Sequence, residues 1–192
     1  DMGLHYMYEL RKFHVSAQNK KFSAKDGVLY SKNGKQLLYY PQANKEKTFR
    51  VPAKVKSIET GAFQDTESLK TLYINKKLSH FGGMAYCAVE RVIFSKQSKV
   101  TELLPESFCQ MTALKEVVLP KHLEKICDNA FEYCYNLKKL EIPKGINEIE
   151  AGAFTNCKKL HLVRPSYLKK QPNGSYYAMI RLKGKNKEVR KE

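Results

Sequence analysis

The sequence predicts an α/β solenoid, a right-handed stack of short parallel strands joined by short helical turns. Two observations carry this. A small residue followed by an aromatic one recurs as Ala62-Phe63, Ala85-Tyr86, Ser107-Phe108, Ala130-Phe131 and Ala153-Phe154, at steps of 22 or 23 residues. Around each copy the apolar spacing changes from two to three, so one unit holds two kinds of backbone. Self-similarity at a step of about 20–29 residues marks an array whose units bury their apolar faces only against their neighbours. A strand that repeats with a crossover between copies runs parallel, and such crossovers are right-handed.

Taken in chain order, residues 1–50 precede the regular array. Leu10–Val15 copies the spacing of Leu69–Ile74 and reads as the strand of an earlier repeat. The run Asp26–Pro41 holds Asn33-Gly34 between β-rich segments, a strong two-residue hairpin signal. Residues 51–165 hold five units. Residues 123–142 show the pattern: Leu123, Ile126, Ala130, Phe131, Cys134, Leu137, Leu140 and Ile142. Leu140-x-Ile142, like Leu72-x-Ile74, Val92-x-Phe94 and Val117-x-Leu119, has the period of a half-buried strand. Ala-Phe-x-x-Cys-x-x-Leu has gaps of three, the spacing of α or 3₁₀ turns. Pro120 and Pro143 close the strands, since proline has no N–H for a ladder. The unit at 78–94 is a shortened rung, and the last unit ends on Leu160 and Val163. In residues 166–192, Asn173-Gly174 predicts a hairpin that lids the last rung, with Tyr167, Tyr176 and Tyr177 as its aromatics, followed by a basic tail.

The formal net charge is +16, from 35 Lys and Arg against 19 Asp and Glu. Segment by segment the basic and acidic residues number 10 and 4 over 1–50, 17 and 13 over 51–165, and 8 and 2 over 166–192. The ends therefore carry most of the excess. Such a balance suits an anionic partner. No apolar run reaches membrane-spanning length, and residues 1–5 lack the basic and apolar regions of a signal peptide.

The cysteines are Cys87, Cys109, Cys127, Cys134 and Cys157, with no Cys-x-x-Cys pair to suggest zinc or redox chemistry. Cys134 and Cys157 share one repeat position, and Cys87 and Cys109 follow their aromatic residues directly. Register explains them as buried thiols. Adjacent rungs about 5 Å apart also leave a Cys134–Cys157 disulfide within reach. No phosphate loop, zinc-protease or nucleophile-elbow motif occurs, and the five histidines are scattered. The pattern points to neither catalysis nor a cofactor.

The Ala-Phe-x-x-Cys-x-x-Leu units, the strand followed by Pro143-Lys144-Gly145-Ile146, and the Asp26-Gly27-Val28-Leu29-Tyr30 insert closing on Tyr40-Pro41 resemble the BspA-like leucine-rich repeat proteins over residues 10–165. The chain departs from that pattern at Thr66, where the Cys position is polar, and in the short unit. The resemblance implies a right-handed β/α leucine-rich-repeat solenoid from a surface or secreted bacterial protein. Adhesion or binding of a host or matrix protein is the role it implies.

Two surfaces follow from the residues themselves. Side chains flanking the buried strand positions share the opposite face. That face presents Thr71 and Tyr73, then Arg91 and Ile93, Glu116 and Val118, and Lys139 and Glu141. Tyr73, Ile93 and Val118 form an apolar column flanked by charge, a candidate protein-binding patch. The alternative is a glycan or polyanion held by Lys169, Lys170, Arg181, Lys183, Lys185 and Lys187. Tyrosines beside these cations can stack on nucleic-acid bases, but here they serve better as a lid, and the lysines protect a sheet edge. Nucleic acid is the less favoured partner.

Overall fold

The computed structural model describes residues 7–173 and the strands Tyr176–Ala178, Arg181–Leu182 and Lys185–Asn186. Two parallel ladders run along a single stack. The first contains β4 (Thr48–Arg50), β6 (Thr71–Ile74), β8 (Arg91–Phe94) and β10 (Glu116–Val118), continued by the pair β12 (Lys139–Glu141) and β14 (His161–Val163). The second is built from two-residue strands: β5 (Ser57–Ile58), β7 (His80–Phe81), β9 (Glu102–Leu103), β11 (Lys125–Ile126) and β13 (Glu148–Ile149). Leu72, Val92, Val117 and Leu140 point inward from one ladder, and Ile58, Phe81, Leu103, Ile126 and Ile149 from the other.

The helical turns predicted from the three-residue spacing are absent: no described residue is helical, and the fold is an all-β solenoid rather than α/β. The physical reason lies in where the turn amides go. In one rung Ala130, Glu132 and Cys134 donate their N–H to Cys127, Asn129 and Phe131 of the same turn. The alternate amides of Phe131 and Tyr133 donate across to Ala153 and Thr155 of the next rung, at 2.8 and 2.9 Å. Ser107, Cys109 and Met111 bond locally in the same way, while Phe108 and Gln110 reach Ala130 and Glu132. A helix would keep all these donors to itself. Positive φ at Asp65, Tyr86, Gln110, Tyr133 and Asn156 turns the chain after each core residue, so every second amide faces its neighbour.

This geometry also corrects the alignment of the short rung. Met84, rather than Tyr86, donates to Ser107 O as Phe108 does to Ala130 O, and Met84 is fully buried. Tyr86 takes the left-handed position and is half exposed. The Ala85-Tyr86 match is therefore coincidental. Cys87, three residues after Met84, joins the column of buried Thr66, Met111 and Cys134 and partly buried Cys157 instead of pairing in register with Cys109. Gly82 and Gly83 permit the shortening. A Cβ on Gly82 would lie 2.4 Å from Thr60 N, and Gly83 has φ of 89° with a Cβ path closed by Ser107.

Rings fill the space between rungs. Phe81, Phe108, Phe131 and Phe154 follow one another with centroids 5.3, 4.9 and 5.4 Å apart, close to the spacing of neighbouring strands. Tyr40 stacks on Phe63 at 5.3 Å. All five cysteines are free thiols. Cys134 donates to Phe108 O and Cys157 to Phe131 O, so the sulfurs serve as hydrogen-bonded core groups. Val163, expected inside, faces outward and is 40% exposed, because β14 pairs Leu162 with Leu140. A one-residue slip in a strand exchanges its faces.

Both ends close on the second ladder. At the N-terminal end β1 (Phe22–Lys25), β2 (Val28–Ser31) and β3 (Gln36–Tyr39) form a meander, and β3 pairs in parallel with β5. Asp26 and Gly27 both have positive φ, so this dipeptide makes the two-residue primed turn between β1 and β2, whereas Asn33-Gly34, with positive φ at Gly34 alone, lies in the longer loop between β2 and β3. Leu37 takes the position of Ile58 and Tyr40 donates to Ala62 O, so the end of the hairpin is itself the start of a rung. Leu10–Val15, expected as a strand, forms none: Phe13 N–H bonds Gly27 O, and the Phe13 ring meets Tyr39 edge-on. At the other end β15 (Leu168–Lys170) and β16 (Tyr176–Ala178) pair antiparallel, and β16 lies against β13. Leu168 is fully buried, and Tyr167 donates its hydroxyl to Ile146 O and Lys144 O, the lid role expected for it. A short pair, β17 (Arg181–Leu182) and β18 (Lys185–Asn186), follows.

The corrected alignment has a direct check. Met84→Ala should cost about 2–5 kcal/mol in urea unfolding, as a buried large-to-small change does, whereas Tyr86→Asn should change stability by under about 1 kcal/mol. An alignment on Ala85-Tyr86 requires the reverse order. Alkaline stability provides a second check. Burial pushes the Cys87 thiol from 9.0 up to about 12 and the Tyr40 phenol from 10.0 up to about 12. The unfolded chain therefore ionises first. Stability should be full below pH 9 and decline towards about pH 12. Denaturation series across that range would measure the decline, and Cys87→Ala should flatten it.

Candidate functional site

The outward face of the first ladder is laid out by strand register. One column runs Arg50, Tyr73, Ile93 and Val118, which are paired residue by residue across β4, β6, β8 and β10. A parallel column holds Thr48, Thr71, Arg91 and Glu116. Further along, Lys139 pairs with His161 and Glu141 with Val163. Alternation of buried and outward residues places these side chains together.

The expected apolar column forms: Tyr73, Ile93 and Val118 are each partly exposed. Sequence reasoning missed its first member, Arg50, whose guanidinium carbon lies 3.9 Å from the centre of the Tyr73 ring. Such a contact holds the ring flat and adds a cation beside it. Phe49 one residue earlier packs against the core, so the alternation of Thr48-Phe49-Arg50 could have revealed this strand. Arg50, Tyr73, Asn75, Ile93 and Ser95 line a shallow hollow of about 300 Å³. Asn75 is held in place by donating its amide to Pro52 O and Val55 O.

Thr71 does not contribute as expected, being 9% exposed beneath its neighbours. The charged candidates are neutralised in pairs. Arg91 Nε meets Glu116 Oε2 at 2.7 Å, and Lys139 Nζ meets Glu141 Oε1 at 2.7 Å. The hydrogen bond from Lys139 and its charge hold the Glu141 carboxyl below its ordinary range, and the hydrogen bond that Arg91 donates to Glu116 raises the guanidinium further. Exposed pairs of this kind contribute little to stability. They order the rim of the column and leave its apolar centre accessible.

Lys169 and Lys170, among the basic C-terminal candidates, are not brought to this face. They are exposed on β15, on the second-ladder side. Arg181 and Lys185 lie in β17 and β18, and Lys183 and Lys187 lie outside the described residues, as does the rest of the expected tail. Among the described residues no group of three or more His, Cys, Asp or Glu side chains is arranged to hold a metal ion. No helix among them is long and apolar enough to cross a membrane.

Comparison with solved structures finds the same stack in bacterial proteins. A leucine-rich cell surface protein of Faecalibacterium prausnitzii is 28% identical with a TM-score of 0.71, over 77% of this chain and 40% of that one. A leucine-rich repeat protein of Eubacterium ventriosum is 26% identical with a TM-score of 0.50, over 88% of this chain and 58% of that one. The leucine-rich repeat protein of T. pallidum, at 19% identity and a TM-score of 0.58, covers 80% of this chain and 72% of its own, and shows the fold alone. The chain thus spans about half the length of the first two. No curated protein sequence matches it significantly. Residues 38–161 match the BspA type leucine rich repeat region in six copies, and the chain belongs to that family.

Proposed function

We propose that this chain is a non-enzymatic recognition module that binds a protein through the outward face of its first ladder. The observation that carries the reading is the Tyr73–Ile93–Val118 column, an apolar strip on a solvent-facing sheet with Arg50 stacked at its end. Aromatic and Arg side chains are the commonest anchors of protein interfaces, and they act from apolar centres ringed by polar rims. The Arg91–Glu116 and Lys139–Glu141 pairs form such a rim. The central strands β6 and β8, which carry Tyr73 and Ile93, are paired on both sides, so little ordering cost falls on binding there.

The family is consistent with a place on the bacterial surface, since the Faecalibacterium prausnitzii relative is a cell surface protein. A host or matrix protein is the corresponding partner class, and adhesion the corresponding role. The test uses immobilised extracellular-matrix extract as bait. Replacing Tyr73, Ile93 and Val118 together with Ser should abolish capture while the far-UV dichroism is unchanged. Capture that survives in the folded triple variant overturns the reading.

A further inference from the structure

One edge of the solenoid carries a charge pattern that the protein-binding reading leaves unused. Five loops lead from the first ladder to the buried column of Val55, Leu78, Val100, Leu123 and Ile146. Immediately before that column stand Lys54, Lys77 and Lys99, on successive rungs. One position earlier stand Lys76, Lys121 and Lys144, and Lys96 adds a seventh cation in the third loop. All seven are exposed, and these loop stretches contain no Asp or Glu. The other ten basic residues of 51–165 are outnumbered by its thirteen acidic ones, so the cationic excess of the array is concentrated on this edge.

Elsewhere on the surface, several cations are matched by acids on neighbouring rungs. Arg91 bonds Glu116, Lys115 bonds Glu90, and Lys125 meets both Glu148 and Glu150. None of the seven edge lysines has an ion pair among the described residues. Glu141, whose carboxyl Lys96 helps to hold down, is already bonded to Lys139. The loops do not need the ammonium groups for their own structure. Asn75 Oδ1 accepts from the N–H of Lys77 and Leu78, Ser98 donates to Leu78 O, and Val55, Leu123 and Ile146 bond back to Pro52, Pro120 and Pro143. Like charges stacked one rung apart repel, and here nothing internal offsets that cost.

From this we infer that the lysine edge binds a linear sulfated polysaccharide laid along the stack, with its anionic groups meeting lysines from successive rungs. The choice of ligand follows from what the edge lacks. No Phe, Tyr or Trp lies in these loop stretches to stack on nucleic-acid bases. All seven cations are Lys, which offers a compact charge, whereas the forked Arg suits bidentate phosphate recognition. Among the exposed residues of these stretches only Ala53 carries an apolar side chain, and its single methyl offers little to insert into a lipid surface.

The test measures binding of the whole chain to heparin as a function of salt. Wild type should bind at about 50 mM NaCl and weaken steeply as salt rises, because counterions are released on contact. The variant Lys54→Gln/Lys77→Gln/Lys99→Gln/Lys121→Gln should lose at least about tenfold in affinity and reduce the log–log salt slope by roughly 3. Two controls remove the same charge elsewhere: Lys20→Gln/Lys45→Gln/Lys138→Gln/Lys158→Gln, and Lys169→Gln/Lys170→Gln/Arg181→Gln/Lys185→Gln at the C-terminal end. Both should retain most of the affinity, with unchanged dichroism in all three. Equal loss in either control, or no heparin binding by wild type at low salt, overturns the assignment. Oligothymidylate or anionic vesicles bound as tightly as heparin, with the same dependence on the edge lysines, would overturn the choice of a polysaccharide.

Discussion

Everything in this stack rests on the splitting of the turn amides. Every second N–H on the turn side closes a local turn, and the ones between cross to the next rung. The turns thereby become a third ladder beside the two strand ladders, although no strand is present there. Each rung is tied to its neighbour on all sides, and none can bury its Phe or Leu residues without the next. The left-handed residue two positions after each core aromatic, or after Met84 in the short rung, is the local cost of that arrangement.

The same constraint sets what the surface can do. Because the rungs are held in register, outward residues of successive units stand in columns about one strand spacing apart. Opposite charges in such columns bond, as Arg91 and Glu116 do, and apolar residues merge into a strip, as Tyr73, Ile93 and Val118 do. Like charges cannot relieve one another, as on the lysine edge. The ladder face and the edge thus differ in chemistry because register multiplies whatever residue each position repeats. Both caps close on the second ladder, which leaves the outward face of the first free of cap strands among the described residues.

Much of this was legible beforehand, for reasons that particular residues show. Leu72-x-Ile74 and its copies became strands because period two has one physical solution when one face is buried. Tyr73, Ile93 and Val118 came together because parallel register preserves sequence alignment. Thr71 failed as a surface residue because its neighbours cover it, and alternation alone carries no information about cover. Tyr86 was misplaced because a copy of Ala-Phe can be imitated in sequence, while only the bond from Met84 to Ser107 reveals the true match. The lysine edge is not legible in the sequence because its members are scattered singly or in pairs over five loops within a segment of nearly balanced charge.

The sequence by itself determined the repeat, its length, its family and most of the inward-facing positions, since these follow from where apolar side chains recur. Only the tertiary structure decided that the turn between strands is not a helix, where the short rung realigns, and which lysines share an edge. Each of those depends on a partner about one rung away. Three-residue spacing is satisfied equally by a helix that keeps its amides and by a turn that gives half of them to its neighbour, and only the neighbour's presence decides between the two.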